Sequence, residues 1–167
     1  TVIDVGPASI AELLDKKNIV AMFNGCAEAG PRALGNRSIL FDPREQDGKD
    51  FVNKVKGREW FRPFAGSVLE EHAHEWFEMR TLKSSPFMMY AVNVKEDKIG
   101  KIHSITHVDN TCRVQTVTKE QNVHYYKLID YDGIMLRDLS HVGMQFSEDM
   151  KLTLNNYLFL GFKPGGH

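Results

Sequence analysis

The strongest constraint on the fold is an apolar run that leads into a loop rich in glycine and arginine. Residues 19–23, Ile-Val-Ala-Met-Phe, have the composition of a buried strand. The loop after it contains Gly-Pro-Arg-Ala-Leu-Gly-Asn-Arg-Ser-Ile-Leu at residues 30–40, and residues 38–41 predict a second strand. Glycine lets the backbone approach a ligand closely, and arginine forms bidentate bonds to phosphate or carboxylate. The run therefore predicts an anion-binding loop, with an ordinary strand-to-helix turn bearing surface arginines as the alternative.

Apolar spacing predicts that strands and helices alternate along most of the chain. Helices are predicted at residues 9–17, 47–57, 70–79 and 119–129. Further strands are predicted at residues 65–69, 86–94, 104–108 and 113–117. This alternation indicates an α/β fold with a mixed sheet. The pattern weakens after residue 131, where residues 152–162 predict one further strand or helix.

Composition excludes several classes of protein. The chain has 167 residues, of which 42% are hydrophobic and 26% charged, as expected for one globular domain. No run is long enough to cross a membrane, and the acidic start lacks a signal-peptide pattern. The two cysteines, Cys26 and Cys112, have neither metal-ligand nor disulfide-framework spacing, so we expect a reducing, cytoplasmic location. The net charge of −1 argues against a broad nucleic-acid groove.

A second basic segment, Lys-Val-Lys-Gly-Arg-Glu-Trp-Phe-Arg-Pro-Phe, occupies residues 54–64. Arg58 and Arg62 are four positions apart, a spacing that puts two side chains on one helix face. Arg62 stands between Phe61 and Pro63, so we expect it to be packed rather than solvated. The alternative is a solvated basic helix end, whose cations complement the helix dipole.

A third polar segment, Thr-His-Val-Asp-Asn-Thr-Cys-Arg-Val-Gln-Thr-Val, occupies residues 106–117. Its Asp-Asn pair predicts a turn between two strands, which brings His107 and Arg113 to one end of a hairpin. Strand alternation places Arg113 and Gln115 on the same face. This face lines a ligand cleft or is simply the solvent-facing side of the hairpin.

Metal and nucleophile chemistry are poorly supported by the sequence. His72 and His74 are two residues apart, and His103 and His107 four, but neither pair has a third ligand at a suitable spacing. No serine or cysteine stands in a recognised nucleophile elbow. The arginines therefore carry the main chemical prediction.

Together, the segments at residues 30–40, 52–71 and 106–117 resemble the C-terminal, YrdC-like domain of the NodU/CmcH/TobZ carbamoyltransferase family. The resemblance assigns residues 1–131 to that domain and residues 132–167 to a divergent tail. The chain departs from the family pattern at four positions and lacks the Asn-Thr-Ser-Phe-Asn motif expected near residue 131. The four positions are Cys26, Ala29, Gly66 and Asn110.

The resemblance implies a fold and an activity. The implied fold is a YrdC-like twisted mixed sheet with flanking helices and a positively charged concave face. The implied reaction converts ATP and carbamoyl phosphate to carbamoyl-adenylate and releases pyrophosphate, with Mg²⁺ as a candidate ion. A separate N-terminal transferase domain, of the actin-like ATPase type, then passes the carbamoyl group to an acceptor hydroxyl.

The resemblance also assigns roles to individual residues. The predicted catalytic residues are Arg32, Arg62 and Arg113. The predicted substrate- and ATP-binding residues are Arg37, Lys56, Arg58, Thr106, His107 and Asp109. Thr106 and His107 would orient carbamoyl or phosphate oxygens, and Asp109 would hold a neighbouring arginine or Mg²⁺. Two alternatives remain open: a nucleotide- or phosphate-binding module without turnover, and an RNA-binding relative.

Overall fold

The computed structural model describes residues 2–3, 6–25, 32, 34–131 and 158–161. The described strands are β1 (Val2–Ile3), β2 (Val20–Phe23), β3 (Arg37–Leu40), β4 (Ala65–Leu69), β5 (Ala91–Asn93), β6 (Thr111–Val117) and β7 (Leu158–Gly161). The described α-helices are α1 (Pro7–Asp15), α2 (Gly48–Val55), α3 (Ala73–Trp76), α4 (Glu96–Ile99) and α5 (Val123–Tyr131). Two 3₁₀ turns cover Glu70–His72 and His103–Ile105. The described part of the chain thus has the alternating α/β order that the sequence predicts.

The first sheet has the strand order β1-β7-β2-β3. β7 runs parallel to both of its neighbours, with Val20 of β2 opposite Leu158. β2 and β3 are antiparallel, with Val20 opposite Leu40, so the loop between them starts and ends at one edge of the sheet. Within the predicted element at residues 152–162, the described residues Leu158–Gly161 therefore form a strand. The predicted boundary at residue 131 stays a prediction.

The second sheet has the strand order β4-β6-β5, with β4 parallel and β5 antiparallel to the central strand β6. Arg113 of β6 lies opposite Ala65 of β4, and Gln115 lies opposite Ser67. Because side chains alternate along a strand, these four share one face of the sheet. The opposite face is apolar and includes the fully buried Val114.

Two apolar cores support the sheets. In the first core, α1 and α5 pack against each other and contact both sheets. It contains Leu14 of α1, Ile129 of α5, Val20 of the first sheet and Ala65 of the second, all fully buried. Since Ala65 belongs to this core, the face of the second sheet that carries Arg113 is the face turned toward α5.

The second core lies behind the second sheet. It is formed by α2, α3 and the apolar face of β4 and β6, and includes Val52, Phe64, Val68, Phe77 and Val114. α2 begins after Asp47, as the sequence predicts, but the Asp47 side chain makes no capping hydrogen bond. The helix therefore depends on packing of its apolar face more than on its cap.

Three predicted elements differ from the structure. The predicted strand at residues 104–108 is wrong, because His103–Ile105 forms a 3₁₀ turn whose Ser104 amide donates to the Pro43 carbonyl at 3.1 Å. Only Ala91–Asn93 of the predicted strand at residues 86–94 is a strand, and the buried Met88 before it has φ +52°. The predicted helix at residues 70–79 is a 3₁₀ turn followed by the single turn of α3. In each case packing overrides the local sequence preference.

Candidate anion-binding site

Arg37 anchors the start of the glycine–arginine loop instead of pointing freely into solvent. Its side chain is buried, and its Nη1 donates to the carbonyls of Asn24 at 2.6 Å and Asn36 at 2.9 Å. Nη2 donates to the Gly25 carbonyl at 3.0 Å. The guanidinium Cζ also lies 3.6 Å from the ring centroid of Phe23. These contacts favour a role for Arg37 in positioning the loop; binding of substrate by this residue stays a prediction.

A chain of buried hydrogen bonds holds the other side of the loop. Tyr125 of α5 donates through Oη to Ser67 Oγ at 2.8 Å, and Ser67 donates to Gln115 Oε1 at 2.9 Å. Gln115 Nε2 then donates to the Leu34 carbonyl at 3.2 Å. The chain connects α5, β4 and β6 to the loop two residues beyond the half-buried Arg32. The first and third sequence segments therefore meet through Gln115.

Gly35 fits this loop because no other residue has room there. Its φ is +111°, and a Cβ at this position would lie 2.6 Å from Cδ1 of Tyr125. The next residue, Asn36, accepts a hydrogen bond at 2.8 Å from Asn122 Nδ2, just before α5. The loop is thus packed directly against α5.

The second basic segment begins with a half-buried arginine. The Arg58 Cζ lies 4.2 Å from the ring centroid of Phe64, a cation–π contact. Its Nε donates to Asn53 Oδ1 of α2. Arg58 is therefore fixed from two sides, one aromatic and one polar.

His107 joins the second and third segments. Its Nε2 lies 3.1 Å from the Phe64 carbonyl, which only accepts, so Nε2 carries a proton in this contact. Its Nδ1 lies 3.1 Å from Thr111 Oγ1. Phe64 thus contacts Arg58 through its ring and His107 through its backbone, and the following residue, Ala65, is opposite Arg113.

Asp109 organises the turn before β6. Its Oδ1 accepts from the Thr111 hydroxyl at 2.7 Å and from the Thr111 amide at 3.0 Å. These bonds hold the pKa of Asp109 below its ordinary value, with a smaller contribution from the neighbouring His107. The predicted turn is present and Asn110 has φ +61°, although the segment before it is not a strand. A role of Asp109 toward Mg²⁺ stays a prediction.

The remaining predicted site residues are found in different environments. Arg113 and Lys56 are half-buried. Thr106 donates through Oγ1 to the Ile102 carbonyl at 2.9 Å. The expectation that Arg62 is packed is wrong, because its side chain is 54% exposed and its Nε lies 2.6 Å from Glu59 Oε2.

Each of the three sequence segments contributes one half-buried arginine, namely Arg32, Arg58 and Arg113. Guanidinium groups that are partly removed from water attract phosphate more strongly than freely solvated ones do. Such an arrangement suits a polyanionic ligand.

Sequence reasoning missed the residues that hold the site together. These are Asn53, Ser67, Asn122 and Tyr125. Asn53 had a detectable signal, because asparagine is unfavourable inside a helix unless its side chain has a specific partner. The other three have common residue types for their elements, and no spacing singles them out.

Nucleophilic and metal chemistry find little support in the described residues. Cys112 is fully buried, and burial raises the pKa of its thiol to about 12, so the reactive thiolate is suppressed. His72 is committed to Glu75, with Nδ1 2.8 Å from Oε1. Among the described side chains, no group of three His, Cys, Asp or Glu residues is placed to hold a metal. None of the described helices is both long and apolar enough to cross a membrane.

The chain matches the family model described as the carbamoyltransferase C-terminus over residues 11–134. Nodulation protein NolNO of Sinorhizobium fredii is 47% identical over 122 residues, which cover 72% of this chain and 18% of that protein. Nodulation protein NolO of Bradyrhizobium diazoefficiens is 46% identical over 125 residues, which cover 74% of this chain and 23% of that protein. The chain therefore spans about a fifth of the length of these curated relatives.

Solved structures share the fold at low sequence identity. Escherichia coli YciO has a TM-score of 0.64 at 9% identity, covering 95% of this chain and 77% of its own. HypF, solved in a phosphate- and nucleotide-bound form, has a TM-score of 0.60 at 14% identity, covering 96% and 25%. P. abyssi Sua5 has a TM-score of 0.58 at 11% identity, covering 93% and 48%. The predicted α/β, YrdC-like fold is confirmed.

Proposed function

The chain belongs to the family of carbamoyltransferase C-terminal domains, and on that premise we propose that it binds ATP and carbamoyl phosphate and forms carbamoyl-adenylate. The proposal rests chiefly on one observation, the junction of three sequence segments at Phe64 and Gln115. There Phe64 contacts Arg58 through its ring and His107 through its carbonyl, and the next residue, Ala65, lies opposite Arg113. Both substrates are polyanions, which the two arginines suit.

The proposed reaction has two steps. Water first cleaves carbamoyl phosphate to carbamate and inorganic phosphate. A carbamate oxygen then attacks the α-phosphorus of ATP, and the α–β phosphoanhydride bond breaks to release pyrophosphate. Negative charge shifts onto the departing phosphate groups in both steps, so fixed cations lower the barrier. No covalent enzyme intermediate is needed, in keeping with the buried, protonated Cys112.

The roles of the arginines differ in this proposal. Arg32 and Arg113 neutralise phosphate charge from the loop and from the central strand. Arg58 and Lys56 bind substrate oxygens from the end of α2, while Arg37 keeps the loop in place. Arg62 reaches the ligand by leaving Glu59, a rearrangement that its exposed position permits.

The polar residues of the third segment orient the substrate oxygens. His107 and Thr106 lie at the entrance to β6, next to the Phe64 carbonyl. Asp109 keeps the turn in shape through Thr111. Mg²⁺, where it takes part, would be held mainly by the phosphate oxygens of ATP and would neutralise part of their charge.

A comparison supports the choice of ligands. HypF shares this fold and was solved with phosphate and nucleotide bound. By analogy we propose that the same fold here takes a nucleotide and a phosphorylated substrate together. Transfer to an acceptor hydroxyl would belong to a separate actin-like ATPase-type domain, and the expected location is the cytoplasm.

The test is isotope exchange between pyrophosphate and ATP that depends on carbamoyl phosphate. We expect exchange with the chain alone or with the N-terminal part of a relative added. Replacing Arg113 by Ala should reduce exchange at least tenfold, the scale of one lost charge-assisted contact. Lys16→Ala is the control, because in the described part of the chain Lys16 forms an exposed i,i+4 pair with Glu12.

Calorimetry separates the alternatives. Binding of ATP and carbamoyl phosphate without exchange would show that the chain is a binding module and not an enzyme. Absence of both binding and exchange would refute the proposal. RNA binding with a steep salt dependence would instead favour the RNA-binding relative.

A further inference from the structure

The side chain of Asn53 uses both of its donor hydrogens and its acceptor oxygen within the second basic segment. Asn53 lies in the last turn of α2 and is 1% exposed. Its Nδ2 donates to the carbonyls of Trp60 and Arg62, both at 3.1 Å. Its Oδ1 accepts from Arg58 Nε. One amide thus holds the guanidinium of one arginine and the backbone of another.

The backbone around Asn53 strengthens this arrangement. The Asn53 carbonyl accepts from the Arg58 amide at 3.1 Å, after Gly57 with φ +60° has ended the helix. The chain then turns through Glu59, whose carbonyl accepts from the Arg62 amide at 3.2 Å. The segment has no regular secondary structure between α2 and β4, so these local backbone bonds and the side-chain bonds of Asn53 hold it in place.

We propose that Asn53 is a positioning residue of the phosphate site, acting through Arg58 and the turn at residues 59–62. This inference rests on the proposed function and deepens it. The ring of Phe64 supports one side of the Arg58 guanidinium, and Asn53 fixes the other through Nε. These two contacts hold the plane of the guanidinium group, so Arg58 has little rotamer freedom left to lose when phosphate binds.

Only an amide of this length satisfies all three partners. Aspartate keeps the acceptor for Arg58 but has no donor for the two carbonyls. Leucine has nearly the same volume and offers neither donor nor acceptor. Comparing the two replacements therefore separates the effect of the Asn53–guanidinium contact from the effect of the contacts between Asn53 and the turn.

The experiment measures ATP affinity by calorimetry and exchange kinetics for Asn53→Asp and Asn53→Leu. We expect Asn53→Leu to weaken ATP binding and raise KM roughly tenfold to a hundredfold, as misplaced binding groups do. Asn53→Asp should have a smaller effect, because Arg58 keeps its partner. Val52→Ala is the control for lost packing, since Val52 is buried in the second core one position before Asn53 and its apolar side chain forms no hydrogen bond to the turn.

A double-mutant cycle tests whether Asn53 acts through Arg58. In an Arg58→Ala background, Asn53→Leu should change ATP affinity much less than it does in the wild type. Equal effects in both backgrounds, or an unchanged KM in both Asn53 variants, would overturn the inference while the proposed function stands. Loss of folding in both variants would assign Asn53 to the core and also overturn it. Failure of the wild type to bind ATP would refute the proposed function itself.

Discussion

At the residue scale, arginines in one chain take three different roles that their sequence context does not reveal. Arg37 follows a glycine and an asparagine, yet it is buried and holds three carbonyl groups. Arg58 follows a glycine and is half-buried over an aromatic ring. Arg62 stands between aromatic and proline residues and is exposed. The backbone conformation on either side decides which role each one has.

Gly35 provides the sharpest prediction at this scale. Gly35→Ala should destabilise the protein by roughly 2–5 kcal/mol, because a Cβ would meet the Tyr125 ring and an alanine strains at φ +111°. Gly57→Ala strains the backbone at φ +60° but its Cβ meets no neighbouring atom, so it should lower the free energy of unfolding by about 1 kcal/mol. Gly100→Ala has neither and should change stability by less than about 0.5 kcal/mol. Urea unfolding of the three variants checks this order, and equal costs at positions 35 and 57 would contradict it.

At the element scale, α5 is tied to the rest of the molecule by hydrogen bonds at several points. Its Tyr125 reaches the second sheet through Ser67, and Asn122, just before the helix, reaches the arginine loop. Its Tyr126 donates to Glu71 in the 3₁₀ turn after β4. The helix thus links the loop, the second sheet and the segment beyond that sheet.

The Tyr126–Glu71 bond predicts a pH dependence of stability. It raises the pKa of Tyr126 to about 12 and lowers the pKa of Glu71 from 4.5. Tyr126 therefore contributes fully to the free energy of unfolding below pH 10.0, the ordinary pKa of tyrosine, and this contribution is lost as the pH rises through about 12. The contribution of Glu71 is present above pH 4.5 and is lost as the pH falls through the lowered pKa of its carboxyl group.

We expect the difference in unfolding free energy between wild type and Tyr126→Phe to be largest between these limits. It should shrink on the acid side and on the alkaline side. Urea unfolding of both proteins across pH provides the measurement. A difference that keeps its size well below pH 4.5 would show that Glu71 is not the partner.

The elements that sequence predicts well are those whose apolar pattern suffices to define them. β2 and β4 are short apolar runs, and they lie within one residue of their predicted bounds. His103–Ile105 has β-branched and polar residues typical of a strand, but bonds from Ser104 to the Pro43 and Glu45 carbonyls hold it as a 3₁₀ turn. Contacts between residues that are far apart in sequence decide such cases.

The candidate site likewise has features that the sequence predicts and features that depend on distant contacts. The order of its three segments indicated that they belong together, and Phe64 and Gln115 bring them into contact. The role of Asn53 was not predictable, because two of its partners are backbone carbonyls, which every sequence has.

At the scale of the whole molecule, the first sheet depends on strands from both ends of the described chain. β7 lies between β1 and β2, although the family match ends at residue 134. Deleting residues 152–167 removes the described partner of β1 and leaves β2 with an open edge. The second sheet is formed by other strands.

We expect this deletion to lower the free energy of unfolding by on the order of 3 kcal/mol or more, a large part of the stability of a typical domain. Deleting only residues 162–167 keeps β7 and is the control. Thermal unfolding followed by circular dichroism measures both. Equal stability of the two truncated proteins would show that β7 contributes little.

The position of β7 also affects the order in which the two sheets fold during synthesis. During synthesis the chain emerges from its amino end, so β1 and β2 leave the ribosome long before Leu158–Gly161 exists. The two early strands have no direct pairing with each other in the finished sheet. The second sheet, whose described strands have all emerged once β6 is made, is free to form first, while pairing of the described strands of the first sheet waits for translation of Leu158–Gly161. Contacts this distant in sequence form slowly, so we expect the first sheet to form after the second.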